Sequence, residues 1–185
     1  MKTIAIIGTG ESSTLYKKVD GVESIGVNDC WKITETDYLL SVDSIRAFTR
    51  ERLYTIAYSK PKKFFSYIPE WEMLFTNNFE LIKLNPKRSD VSTLGTELLP
   101  YSICSPYVAV CLAFNMGATE IIMYGVDFNS HKTLSIREKL DRIEKDFKEL
   151  NKVLLQKGCR LYVASKDSYL SRILPVYEGS SCLHR

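Results

Sequence analysis

The sequence contains few of the patterns that identify metalloproteins, disulfide-rich proteins or membrane proteins. Its five cysteines are odd in number and scattered, with neither a C-x-x-C pair nor the spacing of metal ligands. We therefore expect reduced, mostly buried thiols in a cytoplasmic protein. No apolar run reaches the roughly 18 residues of a membrane-spanning helix, and the first residues pass directly into a predicted strand. We expect neither a signal peptide nor an integral membrane segment.

The chain also has only a small excess of positive charge. The chain has 25 lysines and arginines against 22 acidic residues, which gives a formal net charge of +3. This mild excess favours the approach of anionic ligands but is too small to indicate a nucleic-acid-binding protein. With 45% hydrophobic residues in 185, the chain is long enough to bury one core. We assign residues 1–175 to one domain and residues 176–185 to a loosely ordered tail.

The stretch at residues 3–13 has the clearest pattern in the chain. An apolar, β-branched run stops at Gly8-Thr9-Gly10 and passes into serines, which predicts a buried strand, a tight turn and the start of a helix. The glycines let the backbone approach a ligand closely, and a helix start offers unpaired N–H groups at the positive end of its dipole. Gly8, Thr9, Gly10 and Ser12 are therefore candidate anion-binding residues.

This pattern stops short of two better-known nucleotide motifs. Ser13 stands where the dinucleotide fingerprint needs its third glycine. The glycine turn is not followed by the lysine and serine or threonine pair of a Walker motif, which argues against a P-loop. The alternative without a ligand is that two glycines merely turn a strand into a helix.

Strands and helices alternate along most of the chain. Strands are predicted at residues 3–7, 23–27, 38–42, 120–124 and 160–164, and helices at residues 105–116, 135–157 and 168–174. In the less regular middle we predict short strands at residues 53–58, 63–67 and 79–84, with a helical turn at residues 70–75. The alternation indicates an α/β fold with a doubly wound, mainly parallel sheet. The apolar stripe of the 135–157 helix faces this sheet or, as an alternative, forms the seam of a homo-oligomer.

Polar residues follow several of these strands. Asn28 and Asp29 come after the second strand, Asp43 after the third, and residues 125–131 after the strand at 120–124. Because ligands bind at the carboxyl ends of parallel strands, these residues are expected to share a rim with the glycine turn. The alternative is that they only favour turns and caps, and that Asp127 ties its own loop by accepting N–H bonds.

Ser105-Pro106 is a helix start, with Ser105 predicted as the N-cap and Pro106 at the first helical position. The helix is followed by the strand at 120–124 and the block Gly125-Val126-Asp127-Phe128. Together with Ile6–Ser12 and Val27–Asp29, residues 105–128 resemble the bacterial sialyltransferases of glycosyltransferase family 42. Those enzymes carry a Gly-Asn-Gly-Pro-Ser-like turn, an Asn after the second strand, a Ser-Gly helix start and a Gly-Ile-Asp-Phe block.

The resemblance implies a Rossmann-like fold of GT-A-variant type and a role for each matching residue. Gly8, Thr9 and Gly10 would lie along the nucleotide phosphate and ribose, and Ser105 would face the donor near the cleaved bond. His131 is the candidate catalytic base, although a histidine before a helix is otherwise an exposed capping residue. The rest of the implied donor site consists of Ser12, Asn28, Asp43, which stands where the family tends to have an Asn, Gly125, Asp127 and Asn129.

The chain also departs from the family. Those enzymes have a tyrosine directly after Gly-x-Asp-Phe and another in a long lid, both of which assist the departing phosphate. Here Asn129 takes the first place, and residues 129–134 alone separate the block from the next helix. The activity that the resemblance implies is metal-independent transfer of a CMP-activated sugar to an acceptor hydroxyl, with no cofactor.

Two alternatives stay open. The same blocks are similar to the pterin pyrophosphokinase-like family, which would use Mg²⁺ and for which Asp29, Asp43 and Asp127 are the available carboxylates. The other alternative is a nucleotide-binding module without catalysis.

Overall fold

The structure is a computed structural model that describes residues 1–129 and 134–179, without the side chains of residues 134–138. The strands are β1 Thr3–Ile7, β2 Glu23–Val27, β3 Tyr38–Leu40, β4 Lys63–Ser66, β5 Phe79–Leu81, β6 Lys83–Leu84, β7 Leu98–Leu99, β8 Glu120–Tyr124 and β9 Arg160–Val163. The helices are α1 Arg50–Ala57, α2 Ser105–Asn115 and α3 Leu134–Gln156. Short 3₁₀ turns include Glu11–Leu15, Pro69–Met73 and Tyr169–Arg172.

Seven strands form one sheet in the order β5-β4-β3-β2-β1-β8-β9. Every neighbouring pair in it is parallel, and β6 and β7 form a separate parallel pair. The predicted α/β fold with a mainly parallel sheet is therefore confirmed. The predicted positions of the strands in the first and last thirds of the chain agree with the structure to within two residues.

The sheet is covered on both faces because its strands are apolar on both sides. In β1, Ile4 and Ile6 pack into one core cluster with α2 and α3, whereas Ala5 and Ile7 pack into a second cluster with Trp71. This period of two is the geometry of a strand buried on both faces. It explains why the sequence of β1 is a continuous apolar run with no polar alternation.

The predicted strand at residues 53–58 is wrong, because this segment belongs to α1. Thr49 caps the helix, and its hydroxyl accepts the Arg52 N–H at 3.5 Å. Leu53 and Ile56, three positions apart, pack against the same core cluster, as a helical period requires. A short segment with this pattern fits either period, and the packing of α1 determines which one forms.

The predicted strand at residues 79–84 is divided between the two sheets. β5 pairs with β4 and β6 pairs with β7. Between them Ile82 is buried, and its N–H donates to the Ser66 carbonyl at 2.8 Å. The helices predicted at residues 70–75 and 168–174 are present as the 3₁₀ turns Pro69–Met73 and Tyr169–Arg172.

The predicted tail begins with ordered contacts. Val176 forms an isolated parallel bridge with Val163, and the Tyr177 N–H donates to the Val163 carbonyl at 2.8 Å. Residues 180–185, which complete the predicted tail, lie outside the described residues. Within the part of the chain that is described, no helix combines the length and apolar character needed to cross a membrane.

The four described cysteines are free, as expected. Three of them are buried and Cys104 is partly buried, whereas Cys182 lies outside the described residues. Burial raises the pKa of the Cys30 thiol to about 12. A thiol with so high a pKa is a poor nucleophile at neutral pH, so Cys30 contributes packing and no reactive thiolate.

The apolar stripe of α3 faces the domain's own core. Ile143, Phe147, Leu150 and Leu154 are all at most 6% exposed and belong to the cluster that contains Ile4 and Ile6. Phe147 also meets the Tyr107 ring edge-on, with 5.5 Å between ring centroids. Within the described part of the helix, the stripe is therefore covered without a partner chain.

Two adjacent leucines of α3 provide a test of this packing. Leu154 is 0% exposed and Leu155 is 55% exposed. We expect Leu154→Ala to lower the free energy of unfolding by about 2–5 kcal/mol, since it leaves a core cavity. The matched variant Leu155→Ala should stay within about 0.5 kcal/mol of the parent. Urea denaturation of the three proteins measures both values, and equal losses at the two positions would contradict this orientation of α3.

Candidate functional site

A cavity lies where the order of the sheet reverses. From β1 the chain builds β2 to β5 on one side and then returns to place β8 on the other side. Such a switch point opens a crevice at the carboxyl ends of the two central strands. The cavity there measures about 330 Å³. Its walls are formed by Gly8–Glu11, Val27–Asp29, Arg52, Pro106 and Gly125–Asn129.

The glycine turn after β1 packs directly on the loop after β8. The Gly8 N–H donates to the Tyr124 carbonyl and the Gly10 N–H to the Gly125 carbonyl, both at 2.8 Å. A Cβ atom on Gly8 would lie 2.4 Å from the Gly125 carbonyl oxygen, and a Cβ on Gly10 would lie 2.6 Å from Asp127 Oδ2. The glycines are therefore required by contact between two loops of the protein. Neither role predicted for them from the sequence, the close approach of a ligand or a turn from strand to helix, includes this contact.

Ser12 and Asp127 lock these two loops together. The Ser12 N–H donates to Asp127 Oδ2 at 2.8 Å, and its hydroxyl donates to Asp127 Oδ1 at 2.5 Å. The same hydroxyl accepts the Gly125 N–H at 2.8 Å. Ser12 is only 6% exposed and does not line the cavity. Its side chain positions Asp127, which does line the cavity, so the aspartate ties down the loop as the alternative interpretation proposed.

The glycine turn also leaves two backbone donors available. The N–H groups of Thr9 and Glu11 have no hydrogen-bond partner among the described residues, and both residues line the cavity. The predicted helix after the turn is the 3₁₀ turn Glu11–Leu15, only five residues long. Its dipole is small, because so few peptide units are aligned. The turn therefore offers two unpaired amides, and not the dipole of a long helix, to any ligand in the cavity.

The opposite wall is built around Asn28. Its backbone has a left-handed φ of 55°, and its Nδ2 donates to Asp43 Oδ2 at 3.1 Å. The Asn28 Oδ1 is buried and has no hydrogen-bond partner among the described residues. Leaving a buried carbonyl oxygen unpaired is costly unless a ligand or water completes it. Asn28 lines the cavity, but this oxygen is enclosed by the protein.

Asp43 connects three elements without lining the cavity. Its Oδ2 also accepts the Ser105 hydroxyl at 3.2 Å, and its backbone carbonyl accepts the indole N–H of Trp71 at 3.0 Å. Trp71 is 0% exposed, so this anchor is rigid. Asp43 therefore fixes the orientation of Asn28.

Ser105 is not the N-cap of α2, which begins one residue earlier than expected. Cys104 takes the cap position and Ser105 is the first helical residue. Its hydroxyl consequently points to Asp43, and the side chain is only 5% exposed. The neighbouring Pro106 reaches the cavity, but Ser105 does not.

The cavity also contains a second strained residue. Phe128 has a φ of 57°, so two of the three described non-glycine residues with positive φ lie in this cavity. A left-handed conformation costs a bulky residue about 1–3 kcal/mol, and such strain concentrates at functional sites. The neighbouring Gly125 has a φ of 65°, and a Cβ there would lie 2.7 Å from the Gly8 carbonyl oxygen.

The remaining predicted residues fall at the edge of the cavity or outside it. Asn129 lines the cavity and its side-chain amide donates to the Asp167 carbonyl. His131 lies outside the described residues. Among the side chains that the structure describes, no group of three or more His, Cys, Asp and Glu residues is arranged to hold a metal ion.

Arg52 is the site residue that the sequence analysis missed. Its guanidinium donates to Asp29 Oδ1 at 2.7 Å and lies over the Phe48 ring, 4.9 Å from its centroid. Asp29 is 1% exposed and is also paired with Lys32 at 2.9 Å. Arg52 was missed because residues 53–58 were predicted as a strand. Thr49 as a helix N-cap was the signal that could have placed it.

The charge on Asp29 depends on these two cations. Burial by itself would raise its pKa, but the hydrogen bonds from Arg52 and Lys32 outweigh burial and lower the pKa below its usual value. The same contact with Asp29 raises the pKa of Arg52. Both groups are therefore charged throughout the physiological range.

The hydrogen bonds from Ser12 to Asp127 and Gly125 form a clamp between the two loops. This clamp predicts different effects for two adjacent serines. Ser12→Ala leaves the Gly125 N–H and Asp127 Oδ1 without their partner, so we expect unfolding to become easier by about 1–3 kcal/mol. Ser13 is just as buried, but its hydroxyl bonds to no described group. Ser13→Ala should therefore change stability by less than about 0.5 kcal/mol. Chemical denaturation of both variants measures these changes in the free energy of unfolding. A Ser12→Ala variant as stable as the parent would disprove the clamp.

The Asp29 ion pairs predict a stability difference that depends on pH. Because the folded pKa lies below the unfolded one, the carboxylate stabilises the fold above the unfolded pKa of about 3.9. This contribution is lost as the pH falls through the folded pKa. Asp29→Asn should be less stable than the parent by about 1–3 kcal/mol at pH 7, and the difference should shrink below pH ~4.

Unfolding curves at several pH values measure that difference, since the other carboxylates titrate equally in both proteins. Asp20→Asn, at an exposed position, is the control. A gap between the parent and Asp29→Asn that stayed constant down to pH ~2 would rule out the ion pairs as its cause.

Comparison with known proteins shows similarity of fold. No protein-family model matches the chain, and no curated protein matches it. The sialyltransferase CstII from Campylobacter jejuni, solved with cytidine-5'-monophosphate, matches 95% of this chain and 85% of its own at 14% identity and a TM-score of 0.60. The monofunctional α-2,3-sialyltransferase Cst-I from Campylobacter jejuni matches 95% of this chain and 80% of its own at 13% identity and a TM-score of 0.58. At these identities the chain shares the fold of those enzymes.

Proposed function

We propose that this protein binds a CMP-activated sugar in the cavity and transfers the sugar to an acceptor hydroxyl, as a sialyltransferase-like glycosyltransferase. The observation that carries the proposal is the position of the cavity. It lies at the switch point of a sheet whose fold matches sialyltransferases solved with CMP. Its volume of about 330 Å³ is in the range of small-molecule sites.

In the proposed reaction the acceptor oxygen attacks the anomeric carbon of the sugar. The bond from that carbon to the phosphate oxygen breaks, and its electron pair leaves with CMP. The free amides of Thr9 and Glu11 are suited to stabilise charge on the departing phosphate, because they are fixed donors that need no reorganisation. No metal takes part in this scheme.

The proton of the acceptor goes to His131 in this scheme. An imidazole with an unperturbed pKa of about 6.5 is largely neutral at physiological pH and accepts a proton readily. The support for His131 is its place in the chain, between Asn129 on the cavity wall and α3. Asn28, held by Asp43, would orient the donor. Ser105 would affect the donor only indirectly, through its hydrogen bond to Asp43.

The first test is nucleotide binding without divalent metal. In EDTA, CMP at about 100 times its dissociation constant should stabilise the fold by about 2.7 kcal/mol, which is a shift of several degrees in Tm. UMP is the matched control, since it differs from CMP only in the base. Stabilisation by ATP or GTP that requires Mg²⁺ would instead favour the pyrophosphokinase-like alternative.

The two histidines of the chain provide a matched test of the base. We expect His131→Ala to retain CMP binding but to lower the release of CMP from CMP-sialic acid by about 10²–10⁴-fold. His184→Ala should leave both values unchanged. Turnover that survives in His131→Ala would exclude this residue as the base, and CMP binding without any turnover in the parent would favour a module that only binds nucleotides.

A further inference from the structure

The cavity contains a single positively charged side chain. Arg52 is the only lysine or arginine among the described residues that line it. The guanidinium comes from the first turn of α1, and its side chain is 41% exposed, so it is open to the cavity. Nothing in the family resemblance assigns it a role.

The guanidinium is held in place, but only one of its three nitrogens is paired with a described residue. One nitrogen, Nη2, pairs with Asp29 at 2.7 Å, and the Phe48 ring lies beneath the group. Its Nε and Nη1 donate to no group among the described residues. An arginine fixed on two sides loses little rotational freedom when it binds a ligand, so its remaining donors are well prepared for one.

Arg52 lies in a wall that also carries carboxylates. Arg52 and Lys32 share Asp29, with distances of 2.7 and 2.9 Å, and the negative charge of Asp43 also helps to raise the pKa of Arg52. Two further carboxylates line the cavity, those of Glu11 and Asp127, and Asp127 is engaged by Ser12. Among the described lining residues, Arg52 is therefore the one cationic side chain to which an oxyanion can bind.

We propose that Arg52 binds an oxyanion of the donor substrate through its free N–H groups. The planar fork of a guanidinium fits a carboxylate or a phosphate with two parallel hydrogen bonds. The oxyanion is either the phosphate of the nucleotide or the carboxylate of an acidic sugar. This inference rests on the proposed function, which supplies the donor. It would place a cationic donor in the site of a chain whose residues 129–134 include none of the tyrosines of the family that the sequence resembles.

The test compares ligands that differ by one anionic group. Isothermal titration gives dissociation constants for cytidine, CMP and the non-transferable donor analogue CMP-3FNeuAc with the parent and with Arg52→Gln. If Arg52 binds the phosphate, the preference for CMP over cytidine falls about tenfold or more in the variant. If it binds the sugar carboxylate, CMP affinity is unchanged and the added affinity of the analogue falls instead.

Two further variants control for structural effects. Arg50→Gln, on the same helix, removes a guanidinium whose recorded contacts are with the hydroxyl and ring of Tyr54, and it should change neither preference. Arg52→Lys keeps a charge beside Asp29 but loses the fork, so we expect an intermediate loss of about threefold to tenfold. Urea denaturation establishes that each variant is folded before titration.

The outcomes separate this inference from the proposed function. Unchanged preferences for all three ligands in Arg52→Gln and Arg52→Lys would overturn the role of Arg52 while leaving CMP binding intact. If the parent binds no cytidine ligand, the proposed function fails, and titration with pyrophosphate and free N-acetylneuraminate then tests Arg52 alone. Binding of either anion that weakens about tenfold in Arg52→Gln would uphold the anion site, and the absence of such binding would reject it.

Discussion

The close approach of two backbones, at Gly8–Gly10 and at Gly125, is the contact on which the rest of the site depends. It joins the ends of β1 and β8. Of all the neighbouring strands in the sheet, these two are the farthest apart in sequence. Side chains at these glycines would push the loops apart. The buried pair of Ser12 and Asp127 then satisfies the polar groups enclosed by the contact. Because a buried carboxylate is costly unless fully hydrogen-bonded, the pair also specifies this one arrangement of the loops.

The second wall of the cavity is also fixed by hydrogen bonds to buried residues. Asn28 is held in a strained conformation by Asp43, and Asp43 is held by Ser105 of α2 and by the buried Trp71. Strain of this kind persists only where the surroundings over-determine it. The chain of contacts runs from the cavity into the core, so the orientation of the Asn28 amide is set by rigid packing. A site prepared in this way loses little entropy when a ligand binds.

The sequence predicted the parallel sheet and the rim of the cavity because both follow from local patterns. Apolar runs such as residues 3–7 and 120–124 identify buried strands, and their polar ends mark the rim. The clamp could not be predicted, because Ser12 and Asp127 are 115 positions apart and nothing local pairs them. Arg52 was missed for a different reason. Residues 53–58 fit both a strand and a helix, and only packing against the Trp71 cluster selects α1.

The short connection between Asn129 and α3 limits which groups can stabilise the negative charge of the departing phosphate in the proposed reaction. Residues 130–133 alone fill this gap in the sequence, so the chain has no room there for a long lid with phenolic donors. A departing phosphate still needs stabilisation, since its charge grows as the bond to the sugar breaks. The donors of the described lining that have no protein partner include the amides of Thr9 and Glu11 and two nitrogens of the Arg52 guanidinium. Thr9 and Glu11 lie in the turn that packs on the loop after β8, and Arg52 is held by Asp29, so these three donors are in place before a ligand arrives.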